Sequence, residues 1–288
     1  LQQNFKTTAV KTITILCLAF LLSMVSCTSS EKHQPAAYDL VTSRSGISIE
    51  KFNDSINDEN KYNYNNEVFK VGSKFTYDFQ HFTPENEVKY FKVHDDKKSW
   101  DFVDENNEES NVVKNVIIGT LNGNPMSQFD PNYYQTAISY RFKENTPFSM
   151  SGVIENEANI WMHPPRDQYF EILELNPFPY IKTPYKVGTQ WNWKLQIGSQ
   201  WGDERWKTWE GNITNDYQYE ITEKKTITTA LGDLECFVVE STANSSLGET
   251  SLTAYFHEKF GFVKLDYTNI DDSKTKLELI KHSEGKTL

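Results

Sequence analysis

WNWKLQIGSQW, residues 191–201, and KTWEGNI, residues 207–213, decide the fold class. In the first, Trp191, Trp193, Leu195, Ile197 and Trp201 fall on one face of an extended chain, because strand side chains alternate with period two. In the second, Lys207, Trp209, Gly211 and Ile213 share a face. Pairing Ile197 with Gly211 and Leu195 with Ile213 joins the apolar faces and leaves Asp203-Glu204-Arg205 as a hairpin loop. A one-residue slip would oppose Leu195 with Asn212 and turn a whole face outward. In this register Trp206 points to the opposite, more polar side, beside Thr208 and Glu210.

The same pattern spreads outward. VFKVGSKFTYDF places Phe75, Tyr77 and Phe79 on one face. NVVKNVIIGT is a β-branched run, and NYYQTAISYR and VIENEANIWMHPP alternate again. Downstream come YQYEITEKKTITTA, LECFVVESTA, TSLTAYFHE, GFVKLDYTNI and TKLELIKH, separated by Gly, Asp and Ser turns. No stretch has a capped 3.6-residue apolar period, and Val, Ile, Thr and aromatic residues fill the periodic runs. The expected class is all-β: one or more curved antiparallel sheets. Residues 69–77 (FKVGSKFTY) echo residues 185–193 (YKVGTQWNW). The echo signals either two similar β halves or two similar strand starts, each a turn at glycine feeding an aromatic strand.

Residues 163–185 carry five prolines, Pro164, Pro165, Pro177, Pro179 and Pro184, which belong at edges and turns. Between them QYFEILEL reads as one strand, and Asn-Pro-Phe-Pro-Tyr as a rigid loop joining the halves. His163, Arg166 and Asp167, with nearby rings, make a candidate polar site; alternatively Arg166 pairs with an acid while Phe178 and Tyr180 plug a barrel end.

The chain has 288 residues, 14% aromatic, with net charge −11. Such acidity repels phosphate backbones and argues against nucleic-acid binding. The N-terminus reads differently from the rest. Lys6 and Lys11 precede an apolar run, Ile13 to Val25, of signal-peptide length and short for a membrane span. Met24-Val25-Ser26-Cys27 then resembles the lipobox of bacterial, Gram-negative lipoproteins. The resemblance implies cleavage before Cys27, its acylation (palmitate among the chains), and a lipid anchor in the outer membrane, since Thr28 rather than aspartate follows. Acyl chains hold a protein on a bilayer without a basic patch. The implied organisation is a signal peptide over 1–26, lipidated Cys27 and a disordered tether over 27–66, a first β region over 67–176 and a second over 177–288. Within the tether, SGISIEKF is a weak strand that could join the main sheet, and Asp54-Ser55-Ile56 resembles a short O-glycan acceptor.

Residues 180–282 resemble, loosely, a β-rich domain of uncharacterised bacterial lipoproteins and periplasmic proteins. The resemblance rests on Gly188 before Trp191, Gly232 before Cys236, and Gly261-x-Val263-Lys264. It implies a half-open barrel and brings no catalytic residues.

No chemistry-bearing motif emerges. The six histidines lack metal-ligand spacing, His257-Glu258 has no second histidine, and Ser273-x-x-Lys276 overlaps a turn. No nucleophile elbow or P-loop occurs. The acidic clusters lack the EF-hand glycine. Cys236 reads as a small buried apolar residue. The expectation is therefore a non-enzymatic, cofactor-free binding protein. Candidate ligand contacts are Trp191, Trp193, Trp201, Trp206 and Arg166. An apolar ligand in the sheet's concavity would meet Trp191, Trp193, Leu195, Cys236, Val238 and Phe256. A surface glycan would stack on Trp201 and Trp206, and an envelope protein would pair with an edge strand. Rings turned inward favour the first, an exposed row the second.

Overall fold

Period-two alternation builds strands across most of the described chain. The computed structural model describes residues 38–52, 65–96, 98–130, 133–144, 146 and 148–286; Cys27 and Asp54-Ser55-Ile56 lie outside them. In chain order the strands are β1 (Tyr38–Thr42), β2 (Ser48–Phe52), β3 (Lys74–Phe82), β4 (Val88–Val93), β5 (Trp100–Asp104), β6 (Val112–Val113), β7 (Asn115–Thr120), β8 (Thr136–Arg141) and β9 (Ser149–Glu155). Then follow β10 (Asn159–Met162), β11 (Tyr180–Lys182), β12 (Gln190–Gly198), β13 (Asn212–Thr229), β14 (Gly232–Ser245), β15 (Gly248–His257), β16 (Gly261–Thr268) and β17 (Lys274–Ser283).

All pairings are antiparallel, and β3 to β17 form one sheet whose main path runs β11-β10-β9-β8-β7-β3-β17-β16-β15-β14-β13-β12. The path curls into a nearly closed barrel. Its two ends do not pair, but their rings meet: Trp193 of β12 lies 5.8 Å from Trp161 of β10, and Trp191 lies 5.4 Å from Tyr180 of β11. The expected first and second β regions therefore share one sheet, joined at β3–β17 and again at β10–β11. The echoed segments adopt the same local turn. Gly72 and Gly188 both have positive φ (80° and 88°), a conformation that glycine adopts without steric cost. In each, the next residue's amide closes back, Ser73 to Lys70 and Thr189 to Lys186. Yet β3 is central and β12 terminal, so the likeness is one of strand entry.

Three sequence readings need correction. The β12–β13 register pairs Ile197 with Ile213 and Leu195 with Asn215, two residues from the expected one. An even shift keeps every side chain on its face. It lengthens the connection to 199–211, because Trp201, Trp206 and Trp209 need cover that a tight turn cannot give. Trp206 is buried, stacked 6.2 Å from Trp100, with the Arg205 guanidinium 3.5 Å from the Trp100 ring. It does not face a polar side. Second, VIENEANIWMHPP is the β9–β10 hairpin, turned where Asn156 Oδ1 accepts the amides of Ala158 and Asn159.

Third, QYFEILEL is a 3₁₀ helix, Gln168–Leu175, not a strand. Apolar residues occupy both faces that it would present as a strand, so it suits a segment buried on nearly all sides. The interior backbone groups of a 3₁₀ helix bond along the chain, i to i+3, so the segment can fill the barrel without a strand partner. Tyr169, Phe170, Ile172, Leu173 and Leu175 are all buried. Asn215 Nδ2 and Thr250 Oγ1 donate to Leu175 O at 3.0 and 2.8 Å, pinning its end to the wall. Asp203 and Arg205 form an ion pair in the long β12–β13 connection.

The segment read as tether holds the β1–β2 hairpin, in which SIEKF pairs with YDLVT rather than with the main sheet. The hairpin docks on the barrel's open seam. Ser48 N donates to Asn159 Oδ1 at 2.9 Å, Asn156 Nδ2 to Ser48 O at 2.9 Å, and Lys182 Nζ to Gly46 O at 3.1 Å. A Cβ added at Gly46 (φ 87°) would come within 3.3 Å of Asn192 O.

Candidate functional site

The unpaired seam between β10/β11 and β12 leaves a cleft of about 440 Å³. Its walls come from the two sheet ends, the segments beside them and the β1–β2 hairpin. Trp161 and Phe178 come from one edge, Trp193, Leu195 and Trp201 from the other, and Ile47 and Ile49 from the hairpin. His163, Arg166 and Glu174 supply a polar corner, and Asp130 also lines the cleft.

The corner exists because the chain stops at Pro164-Pro165, turns, and enters the 3₁₀ helix. Its tight winding brings Glu174 back under His163. Glu174 Oε1 lies 3.4 Å from His163 Nε2 and 4.0 Å from Arg166 Nε. His163 Nδ1 sits 2.9 Å from Pro164 O. A carbonyl only accepts, so the proton resides on Nδ1 and Nε2 offers a lone pair. Arg166 Nη1 approaches that lone pair at 3.5 Å, and its guanidinium lies 4.9 Å from the Trp201 ring. Burial holds His163 neutral, lowering its pKa to about 4. Burial also raises Glu174 to about 7, with Arg166 pulling it down and Glu171 pushing it up. At neutral pH the corner thus holds a cation, a neutral imidazole and a carboxyl whose pKa burial has raised into that range.

Three buried polar atoms among the lining residues lack hydrogen-bond partners: Glu174 Oε1, Trp161 Nε1 and Trp193 Nε1. Each such group typically costs ~1–3 kcal/mol if it stays unmet.

Of the sequence candidates, the cleft brings together Arg166, Trp193 and Trp201. Trp191 stacks on Tyr219 at 5.3 Å and Trp206 on Trp100, both as packing. Cys236, Val238 and Phe256 are buried in the wall, with burial raising the Cys236 thiol to about 11. They line no part of the cleft. Asp167 caps the 3₁₀ helix without a side-chain capping bond. Sequence reasoning missed Glu174. Its signal was an acid flanked by Leu173 and Leu175 in an apolar run. It also missed Ile47 and Ile49, the apolar residues of SGISIEKF. The Ser273/Lys276 pair is structural: Ser273 is buried in the β16–β17 turn on Asp271, and Lys276 lies over the Phe82 ring. Among the described residues, no group of three or more His, Cys, Asp or Glu is placed to hold a metal ion.

Glu174 makes the cleft's titration measurable. Its folded pKa exceeds its unfolded value of ~4.3, so its stabilising contribution is complete below that value and is lost as pH rises through about 7. Relative to Glu174→Gln, the wild type is expected to lose on the order of 3 kcal/mol between about pH 4 and pH 8. Glu50, which burial also raises to about 7, is common to both proteins and cancels, while His163, lowered by burial to about 4, stays neutral over most of the range. Urea unfolding across this range checks it; parallel curves would refute the assignment.

No family model and no curated protein matches the chain. Among solved structures, one from Bacteroides fragilis NCTC 9343, described as an exported protein with YmcC-like fold, aligns with 75% of this chain and 98% of its own. The identity is 8% and the TM-score 0.37. The hypothetical lipoprotein YmcC from Escherichia coli (K12) aligns with 74% of this chain and 85% of its own, at 11% identity and TM-score 0.31. A protein of Parabacteroides distasonis ATCC 8503, described as a lipoprotein, covers 75% and 97%, at 11% identity and TM-score 0.28. None of the three descriptions names a ligand or an activity.

Proposed function

We propose that the protein is a non-catalytic, lipid-anchored binding protein of the outer membrane, held through Cys27, whose seam cleft takes a small molecule with an apolar face. The observation that carries the binding role is the cleft itself: about 440 Å³, walled by rings and aliphatic side chains, with one charged corner. Its volume lies within the range of small-molecule sites, ~300–1,000 Å³, and its mixture of apolar walls and few polar groups fits their usual make-up. The non-catalytic reading rests on the lack of a catalytic motif in the sequence and not on the corner. The corner holds an acid, a neutral imidazole and a cation, while the lining hydroxyls of Ser43 and Ser45 are engaged with each other at 2.7 Å. The anchor reading rests on the lipobox resemblance at residues 24–27.

Native mass spectrometry of residues 27–288, purified gently from the host, tests the binding role. A non-covalent adduct is expected, lost in Leu195→Trp, which fills the cleft from a half-buried position. An adduct retained by a folded Leu195→Trp protein would move the ligand elsewhere. A clean apo mass in every preparation would count against the cleft.

A further inference from the structure

We infer that the β1–β2 hairpin is a pH-sensitive lid on the seam, docked while Glu50 is protonated and released once Glu50 is ionised. That its release opens a binding site rests on the role proposed above; the movement itself does not. The hairpin is fastened unlike the rest of the described chain. It is a separate two-stranded sheet with no ladder to the barrel, and a lone two-stranded hairpin is marginally stable in water. Side chains hold it instead. Ser48 meets Asn156 and Asn159, and Gly46 O accepts from Tyr180 Oη at 3.3 Å and Lys182 Nζ at 3.1 Å. Ile47 is its buried apolar contact. Ile47 and Ile49 also form one wall of the cleft, so lifting the hairpin removes that wall.

A buried acid sits in this interface. Glu50 of β2 is 8% exposed and shares a crevice with Tyr134, Thr136 and residues 153–156. Its hydrogen-bond partner is neutral: Asn65 Nδ2 donates to Oε1 at 2.6 Å. Two more carboxylates face it. Glu155 of β9 accepts the amides of residues 67–69, and Glu157 of the β9–β10 turn accepts from Tyr38 Oη at 3.4 Å. The phenols of Tyr38 and Tyr134 are the other titratable groups there. Lys51, next in sequence, lies exposed opposite Asp39, on the other face of the hairpin. A neutral Glu50 suits this setting. Its anion would be buried without a counter-charge and repelled by two like charges.

Burial raises Glu50 to about 7; the Asn65 bond lowers it, and Glu157 and Glu155 push it up further. On a lifted hairpin it would titrate near ~4.3. Its contribution to docking is therefore complete below that value and is lost as pH rises through about 7. Docking is expected to weaken on the order of fiftyfold between about pH 5 and pH 8.

Spin labels at Arg44→Cys in the hairpin turn and Gln218→Cys on β13, both exposed positions, report the movement by double electron–electron resonance. The full chain carries Cys17→Ser and Cys27→Ser as well, and Cys236 is buried. At about pH 5 a single short distance is expected. At about pH 8 a longer, broader population is expected to appear with no change in far-UV circular dichroism. Glu50→Gln is expected to keep the short distance at both. Should Glu50→Gln not dock, Glu157→Gln removes one repelling charge at the exposed rim and should move the midpoint to higher pH. A single short distance at both pH values in the wild type would overturn the lid. So would a longer population that grows alike in the wild type and Glu50→Gln. A lid that lifts in a protein yielding no ligand adduct would support the switch and count against the binding role.

Discussion

Replacing Phe79 by alanine is expected to destabilise the protein by about 3–5 kcal/mol, the range for deleting a fully buried aromatic ring. Phe79 is completely buried on the central strand β3. Its ring meets Tyr90 and Phe91 of β4 at 6.1 and 5.6 Å, and Tyr169 and Phe170 of the 3₁₀ helix at 5.5 and 4.9 Å. It is where wall and filling touch. These neighbours belong to separate elements and are anchored elsewhere. Tyr169, for example, is bonded to His81 at 2.8 Å. They are therefore poorly placed to collapse into the void, which puts the cost high in the range. Equilibrium urea unfolding measures it. A loss below about 1 kcal/mol would mean the filling repacks freely.

The second large effect is expected at Glu155. Its carboxylate accepts three successive amides, Glu67 and Val68 at 2.7 Å and Phe69 at 2.8 Å. Burial raises its pKa, and the three N–H bonds offset this only in part. The side chain is thus an expensive acceptor kept for the amides it satisfies. Glu155→Ala strands three N–H groups at once, and a loss of about 3 kcal/mol or more is expected. Glu155→Gln, which keeps one acceptor oxygen, should lose less. Hydrogen exchange at residues 67–69 should accelerate in the alanine variant more than exchange across β13–β15. Uniform acceleration would show that the carboxylate supports the whole fold rather than the entry to β3.

Much of this architecture was legible in the sequence, because alternation is a local signal. The faces of β3 and β12 follow directly from Phe75-Tyr77-Phe79 and Trp191-Trp193, and the FKVGSKF echo marks the same glycine turn twice. What failed was non-local. The β12–β13 pairing depends on where three tryptophans of the connection find cover, which alternation cannot specify beyond parity. QYFEILEL fits a strand pattern as well as a 3₁₀ one, and only the need to fill a barrel with self-satisfied backbone separates them. The site shows the same division. Arg166, His163 and Trp193 stood out by type and by the surrounding prolines. Glu174 did not, since its place beside His163 depends on the helical winding that the strand reading denied. Ile47 and Ile49 look sparse in an otherwise polar segment, and they count only once the hairpin is laid over the seam.

The β3–β17 pairing is expected to form late in folding. Residues 74–82 are matched with partners roughly 200 positions downstream. Contacts so distant in sequence are entropically slow to form. The consecutive hairpins β12 to β17 need no such closure and are expected to assemble among themselves first. Until residues 274–283 are paired, β3 has one edge without its eventual neighbour, and the aromatic filling has a wall missing. That interval is expected to be the chain's most aggregation-prone stage. A chaperone acting on this protein would therefore have most to gain by shielding the exposed edge of β3 until β17 pairs with it.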